Sequence, residues 1–321
     1  MTIERDPKQK VLVVDDFHPI LTSGLKAKQF HIDYEPGLKR DAILEKINQY
    51  DGLIVRSKIN CDQTFFEKAQ NLKWIARGGA GMDNIDVNLA NSLHIKLINA
   101  PEGNKNAVAE HCMGFMLGLS NKLHLGFEGI KQKKWQRESN RGFELAGKTL
   151  AIIGYGNIGQ NLAQKAKAFD MNVIAFDPYN PTITNQLHIL TSMERVFNEC
   201  DWLSLNVPLT KQTKNLVNAV FLNQFKKQIG IINTSRGAIV NTHAVWSNLV
   251  NGKVFAFGAD VIENESPDKW SLAETEHYLK LAQFPQVLLS PHVAGWSVES
   301  YQKIAEVLLQ KILDHADFSS Y

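Results

Sequence analysis

Short apolar runs rich in β-branched residues recur from one end of the chain to the other, and stretches of helical periodicity separate them. The runs are VLVVDD (11–16), GLIVRS (52–57), LKWIARGG (72–79), IKLINA (95–100), TLAIIG (149–154), NVIAFDP (172–178), WLSLNVP (202–208), GIINTS (230–235), FAFGADV (255–261) and QVLLSP (286–291). Strands that are apolar almost throughout have no face to give to water, so they predict parallel sheets covered by helices on both sides. The fold class is therefore α/β. Two stretches, Asn106 to Ser120 and Val298 to Asp314, have the length and period of long helices. Both follow a strand that ends in proline and read as connectors between domains. On this reading residues 1–100 and 292–321 form one doubly wound, flavodoxin-like domain, and residues 101–291 form a Rossmann domain inserted in it.

Size and composition agree with two domains, since 321 residues exceed one ordinary domain and allow each of two its own core. Lys+Arg (35) and Asp+Glu (33) nearly cancel and 44% of residues are hydrophobic, so neither nucleic acid nor a membrane surface is expected as a partner. No run approaches the ~18 apolar residues of a membrane span. The first strand is too short for the core of a signal peptide and has no small-residue cleavage site. Cys61, Cys112 and Cys200 are odd in number and widely spaced, which predicts reduced thiols in a cytoplasm, no disulfide framework and no metal site.

Chemistry enters at KTLAIIGYGNIG (148–159), where a buried strand runs into Gly154-x-Gly156-x-x-Gly159 and then into the helical NLAQKAKAF. The first glycine permits a tight turn, the second lets the backbone approach a pyrophosphate, and the third lets helix and strand pack closely. The N–H groups at the helix start then face the phosphates. The next strand ends in Asp177, placed to accept hydrogen bonds from ribose hydroxyls and to repel the 2′-phosphate of NADP. NAD is the expected cofactor. The competing reading is that Asp177 opens a turn with Pro178.

Three ionisable groups lie just past later strands: Arg236 after GIINTS, Glu265 after FAFGADV and His292 after QVLLSP. The carboxyl ends of parallel strands are where open α/β sheets bind ligands. A guanidinium grips a carboxylate and polarises the adjacent carbonyl. An imidazole gives or takes a proton near neutral pH, and a carboxylate beside it favours the imidazolium. Together these groups suit reduction of a 2-keto acid.

At these residues the sequence resembles the D-2-hydroxyacid dehydrogenases. The segments that carry the resemblance are RGGAGMDNID (77–86), NAPEGNKNAVAEH (99–111), GKTLAIIGYGNIG (147–159), NVPLTKQT (206–213), NTSRGAIVN (233–241), GADVIENE (258–265) and PHVAG (291–295), in the family's order. The resemblance implies Arg236, Glu265 and His292 as catalytic residues. It implies cofactor contacts at Gly154, Gly156, Asn157, Ile158, Gly159, Asp177, Asn206, Pro208, Thr213, Thr234, Ser235, Arg236, Asp260, His292 and Gly295, with Asp260 near the nicotinamide amide. It also implies a homodimer formed through the nucleotide domains. Asn206 stands where the family commonly has His, and Asn241 where it has Asp. Ser266 separates Glu265 from Pro267, and the stretch 268–284 is longer than the family pattern.

Within the family, GLIVRSK and WIARGGAG look most like the short phosphoglycerate dehydrogenases, without a C-terminal regulatory domain. Arg56 and Arg77 would take a phosphate at the far end of the substrate, helped by Ser57 and the backbone of Arg77, Gly78 and Gly79. Asn104 would contact the substrate together with Arg236 and His292, and Arg137 of KKWQRESNRG (133–142) would reach a partner subunit's site. D-3-phosphoglycerate is then the expected substrate, with glyoxylate or hydroxypyruvate reductase, D-lactate dehydrogenase and formate dehydrogenase as alternatives, and with no serine feedback. Two readings come from other classes. A phospho-acceptor receiver domain would use Asp15 and Asp16, but GLIVRS ends in Arg56 and Ser57 where it needs an Asp. The other is an NAD-sensing binding protein like the family's corepressor relatives.

Overall fold

The computed structural model describes residues 9–179 and 189–318. The chain folds as two compact units, one made of the residues up to Asn104 with those from Trp296 onward, the other of Lys105–Gly295. The first unit alternates β1 (Lys10–Val13), α1 (Pro19–Ala27), β2 (His31–Tyr34), α2 (Arg40–Lys46), β3 (Gly52–Val55), α3 (Gln63–Lys68), β4 (Trp74–Arg77), α4 (Val87–Ser92) and β5 (Lys96–Asn99). Its five strands are all parallel, in the order β2-β1-β3-β4-β5. This is the flavodoxin order, in which the direction of winding changes between β1 and β3.

Helix α5 (Pro101–Ser120) begins in the first unit and continues in the second. It starts five residues before the expected Asn106, because Pro101 has the fixed φ of a first helical residue. The second unit then runs α6 (Leu123–Lys131), β6 (Thr149–Ile153), α7 (Asn157–Ala168), β7 (Asn172–Phe176), β8 (Ile189–Leu190), α8 (Met193–Glu199), β9 (Trp202–Leu205), α9 (Ala219–Gln224), β10 (Ile229–Asn233), α10 (Thr242–Val250), β11 (Val254–Ala259), α11 (Leu272–Ala282) and β12 (Val287–Leu289). The seven strands are parallel in the order β12-β11-β10-β9-β6-β7-β8. Winding reverses between β6 and β9, the crevice where such sheets take a dinucleotide. Strands β6, β9 and β10 are buried at every position, as their unbroken apolar sequences require.

The chain returns to the first unit as α12 (Val298–Phe318), whose Ile304, Ala305, Leu308 and Ile312 share a buried cluster with Leu21 and Leu25 of α1. All ten expected strands are present. The two that the hydropathy pattern missed are edge strands: β2 is HIDY with both end residues exposed, and β8 has two residues. The second border falls four residues beyond the expected one, so His292 lies in the nucleotide unit. Hydrogen bonds from Val293 and Ala294 to Asp260 keep the chain on the seven-stranded sheet up to that point. Among the described residues no helix is long and apolar enough to cross a membrane.

Candidate active site

The glycine loop joins β6 to α7 at the winding reversal. Gly154 has φ +89°, and a Cβ there would lie 2.3 Å from the Asn206 carbonyl oxygen; one on Gly159 would lie 2.3 Å from the Gly154 oxygen. Both positions therefore exclude a side chain. Gly156 differs, since a Cβ on it meets nothing within 4 Å. It is the N-cap of α7 and brings no capping side chain, so Asn157, Ile158 and Gly159 start the helix with N–H groups that a phosphate can take. Open space before a free helix start fits a dinucleotide pyrophosphate.

Asp177 follows β7 and accepts from the Tyr155 N–H at 2.8 Å and the Tyr179 N–H at 3.0 Å. One oxygen thus braces the glycine loop, and the other closes a turn over Pro178. Asn206, after β9, donates from Nδ2 to Ser204 Oγ at 3.0 Å, while its buried Oδ1 has no partner. Pro208 is exposed, and its carbonyl accepts from Thr213 Oγ1 at 2.6 Å. Thr234 is buried, with Oγ1 3.2 Å from Cys112 Sγ, and Ser235 donates from Oγ to the Leu205 carbonyl at 2.7 Å. The Ser235 hydroxyl thus ties the end of β10 to β9, and that of Thr234 meets α5.

Arg236 leaves β10 in extended geometry and donates from Nη1 to the Ser235 carbonyl at 2.6 Å. The residue after it, Gly237, lies so close to the segment after β11 that a Cβ would stand 1.8 Å from the Ile262 carbonyl. That contact brings the Arg236 turn against the segment leading to Glu265. Glu263 of the same segment accepts from the Thr242 N–H at 2.7 Å and from its hydroxyl at 2.9 Å, fixing it to the start of α10. The long stretch 268–284 forms α11, whose N-terminus carries a Ser271/Glu274 capping box. It reaches the Glu265 segment through Glu274 to Asn264 at 3.0 Å and Trp270 Nε1 to the Asn264 carbonyl at 2.8 Å. Asn241, in place of the family's Asp, caps α10 by accepting from the Ala244 N–H at 2.9 Å, a role either residue type serves.

His292 and Glu265 meet at 2.7 Å between Nδ1 and Oε2, with side chains 47% and 40% exposed. The hydrogen bond to Glu265 holds the imidazole above its ordinary pKa. Burial and the Arg236 charge oppose this, while the charges of Glu265 and Asp260 add to it. His292 has φ +56°, a left-handed conformation that costs a non-glycine residue about 1–2 kcal/mol. The turn is held by Asp260, which is 2% exposed. The Asp260 carbonyl accepts from the His292 N–H, and its two carboxylate oxygens accept from the N–H groups of Val293 and Ala294, each at 2.8 Å. Gly295 ends this turn and closes the second unit.

The residues expected to meet the far end of the substrate lie in the first unit, past β3 and β4. The Arg56 guanidinium is enclosed by the rings of Phe17, Trp296 and Tyr301, with ring centroids 5.0, 4.3 and 5.6 Å away. Its Nε and Nη2 are buried without hydrogen-bond partners. Asp15 Oδ2 accepts from the N–H groups of Arg56 at 2.6 Å and Ser57 at 3.3 Å. Arg77 donates from Nε to the Arg56 carbonyl at 3.1 Å. The Gly78 and Gly79 N–H groups, expected to complete an anion grip, are donated instead to the carbonyls of Val55 and Arg77, at 2.8 and 3.0 Å. Asn104 has a buried Oδ1 without a partner, and Arg137 is exposed. Sequence reasoning missed the three rings around Arg56, and it missed His111 and Ser290 beside Asp260. His111 and Ser290 lie within segments already singled out, but only the fold brings them together.

Comparison with known proteins identifies the family. Residues 113–294 match the family model described as "D-isomer specific 2-hydroxyacid dehydrogenase, NAD binding domain". The chain is 36% identical over 275 residues to a hydroxypyruvate reductase of Thermotoga maritima, covering 86% of this chain and 88% of that one. It is 34% identical over 303 residues to a D-3-phosphoglycerate dehydrogenase of Methanocaldococcus jannaschii, covering 94% of this chain but only 56% of that longer one. Among solved structures, a glyoxylate reductase from Paecilomyes thermophila superposes with a TM-score of 0.83 at 26% identity, covering 97% of this chain and 96% of that one. The chain belongs to the D-isomer specific 2-hydroxyacid dehydrogenases and is an NAD-dependent oxidoreductase acting on the CH–OH group of a D-2-hydroxy acid.

Proposed function

We propose that the protein interconverts D-3-phosphoglycerate and 3-phosphohydroxypyruvate, the step that opens serine synthesis, and that Arg236, Glu265 and His292 carry it out. The 2.7 Å hydrogen bond from His292 Nδ1 to Glu265 carries the reading, because it favours the protonated ring and leaves Nε2 to face the substrate. When bound, NADH supplies the hydride that reduces the keto carbon. Arg236 grips the substrate carboxylate and polarises the neighbouring carbonyl. His292 gives the proton on Nε2 to the developing alkoxide and takes it back in the oxidation. Glu265 fixes the ring and offsets the Arg236 charge. The 154–159 loop and Asp177 hold the cofactor, and the Asp177 carboxylate disfavours NADP.

Arg56 and Arg77, at the ends of neighbouring strands, support a phosphate at the substrate's far end, and the resemblance to phosphoglycerate dehydrogenases supports it too. A second reading, reduction of hydroxypyruvate itself, is favoured by the rings around Arg56. With Nε and Nη2 buried, that guanidinium cannot offer a bidentate grip. Steady-state kinetics with 3-phosphohydroxypyruvate, hydroxypyruvate and glyoxylate, each with NADH and NADPH, separate the two. The first reading expects the highest kcat/KM with the phosphate ester and NADH, and a rise in KM for that ester alone in Arg77→Ala. A large advantage for an unphosphorylated acid selects the second. We further propose a homodimer, supported by Leu123, Phe127 and Ile130 of α6 and nearby Trp135, which are 62%, 65%, 53% and 82% exposed.

A further inference from the structure

Three consecutive backbone N–H groups, those of His292, Val293 and Ala294, are all received by Asp260. What aims the Asp260 side chain is therefore decisive for His292. Beyond those two backbone donors, its Oδ1 accepts a hydrogen bond from the hydroxyl of Ser290, the residue just past β12. His111, on α5, stands behind that hydroxyl, with Nε2 2.9 Å from Ser290 Oγ and 3.9 Å from Asp260 Oδ1. The imidazole also packs edge-on against Phe115 one turn along the helix, with centroids 4.6 Å apart.

The donor inventory gives this string a direction. A carboxylate only accepts, and a serine hydroxyl has one proton, which Ser290 donates to Asp260. Ser290 Oγ can then only accept from His111, so Nε2 of His111 carries a hydrogen. We propose that His111 is a positioning residue for the reaction: its Nε2–H fixes the Ser290 hydroxyl on the Asp260 carboxylate, which holds the left-handed turn presenting His292. With His292 as the proton donor proposed above, a looser turn would misplace Nε2 without disturbing the glycine loop, which lies after a different strand. His111 touches neither substrate nor cofactor on this account. It acts through Ser290 and Asp260.

The test compares full-length wild type, His111→Leu, His111→Gln, Ser290→Ala, Ser290→Thr and His292→Ala. Each is assayed for NADH-dependent reduction of the keto acid that the wild type turns over fastest, and for NADH affinity by fluorescence titration. His111→Leu and Ser290→Ala are expected to lower kcat about tenfold or more, the scale of a catalytic group displaced by under an ångström, and to leave the NADH Kd within about twofold. His111→Gln keeps a donor near Nε2 and Ser290→Thr keeps the hydroxyl, so both should regain most of kcat. Unchanged kcat in His111→Leu and Ser290→Ala, beside an inactive His292→Ala, overturns the positioning role alone. Equal losses of kcat and NADH affinity that Gln and Thr fail to restore also overturn it, by assigning His111 to packing. Wild-type turnover in His292→Ala removes the assignment of His292 itself, and the positioning role with it.

Discussion

Glu265 and His292 share a hydrogen bond whose value depends on one proton. Because that bond raises the imidazole pKa, the pair stabilises the fold fully below the unfolded value near 6.5 and loses this contribution as pH rises through the folded value. With His292 in the proposed role, catalysis follows the same proton. Reduction needs the imidazolium, so its kcat/KM should fall as pH rises past the folded pKa, and oxidation should rise over the same range. In Glu265→Gln the largest cause of the upward shift is gone while the Arg236 charge remains. The descending limb for reduction should therefore move to lower pH, and an unmoved limb in the kcat/KM profile would show that Glu265 does not set it. The residue types of this site were legible in sequence because each follows a strand, where ligand groups collect. The left-handed φ of His292 was not legible, since histidine is an unusual choice for that conformation and three bonds to the distant Asp260 help to maintain it.

At the scale of elements, the loop from β6 to α7 separates two kinds of glycine that the motif treats alike. Gly154→Ala forces a Cβ into a positive φ and against the Asn206 carbonyl, so it should destabilise the nucleotide unit. The expected cost of about 2 kcal/mol corresponds to a Tm lower by about 4–8 °C. Gly156→Ala meets open space, so its Tm should match the wild type while NADH binds about tenfold or more weakly, a loss of about 1.4 kcal/mol. Thermal melts and NADH titration of the two variants check this, and equal affinity for Gly156→Ala would mean the pyrophosphate does not approach that face. Elements with strong periods were legible, as Asn172–Phe176 and Ile229–Asn233 illustrate. Helix α11 was hidden in a stretch read only as extra length. It buries only Tyr278 and Leu281 among its described side chains, so the capping box was its clearest local sign.

For the whole molecule, each unit closes its own core and reverses its winding once, and both reversals put candidate site residues at strand ends. In the nucleotide unit, the exposed apolar residues on α6 are a surface that water disfavours. If they form the dimer contact, Phe127→Glu should give a single-chain mass by light scattering where the wild type gives twice that. A wild-type mass of one chain would remove the dimer. By itself the sequence determined the α/β class, the number of sheets, the glycine loop and the order of Arg236, Glu265 and His292, because hydrophobic period and turn chemistry act over neighbouring residues. Tertiary structure alone decided that Asp260, Ser290 and His111 form one string, that three rings enclose Arg56, and that His292 belongs to the nucleotide unit. Those contacts join residues far apart in the chain, His111 and Ser290 by 179 positions. No local pattern specifies a partner at that distance; packing of the sheets does.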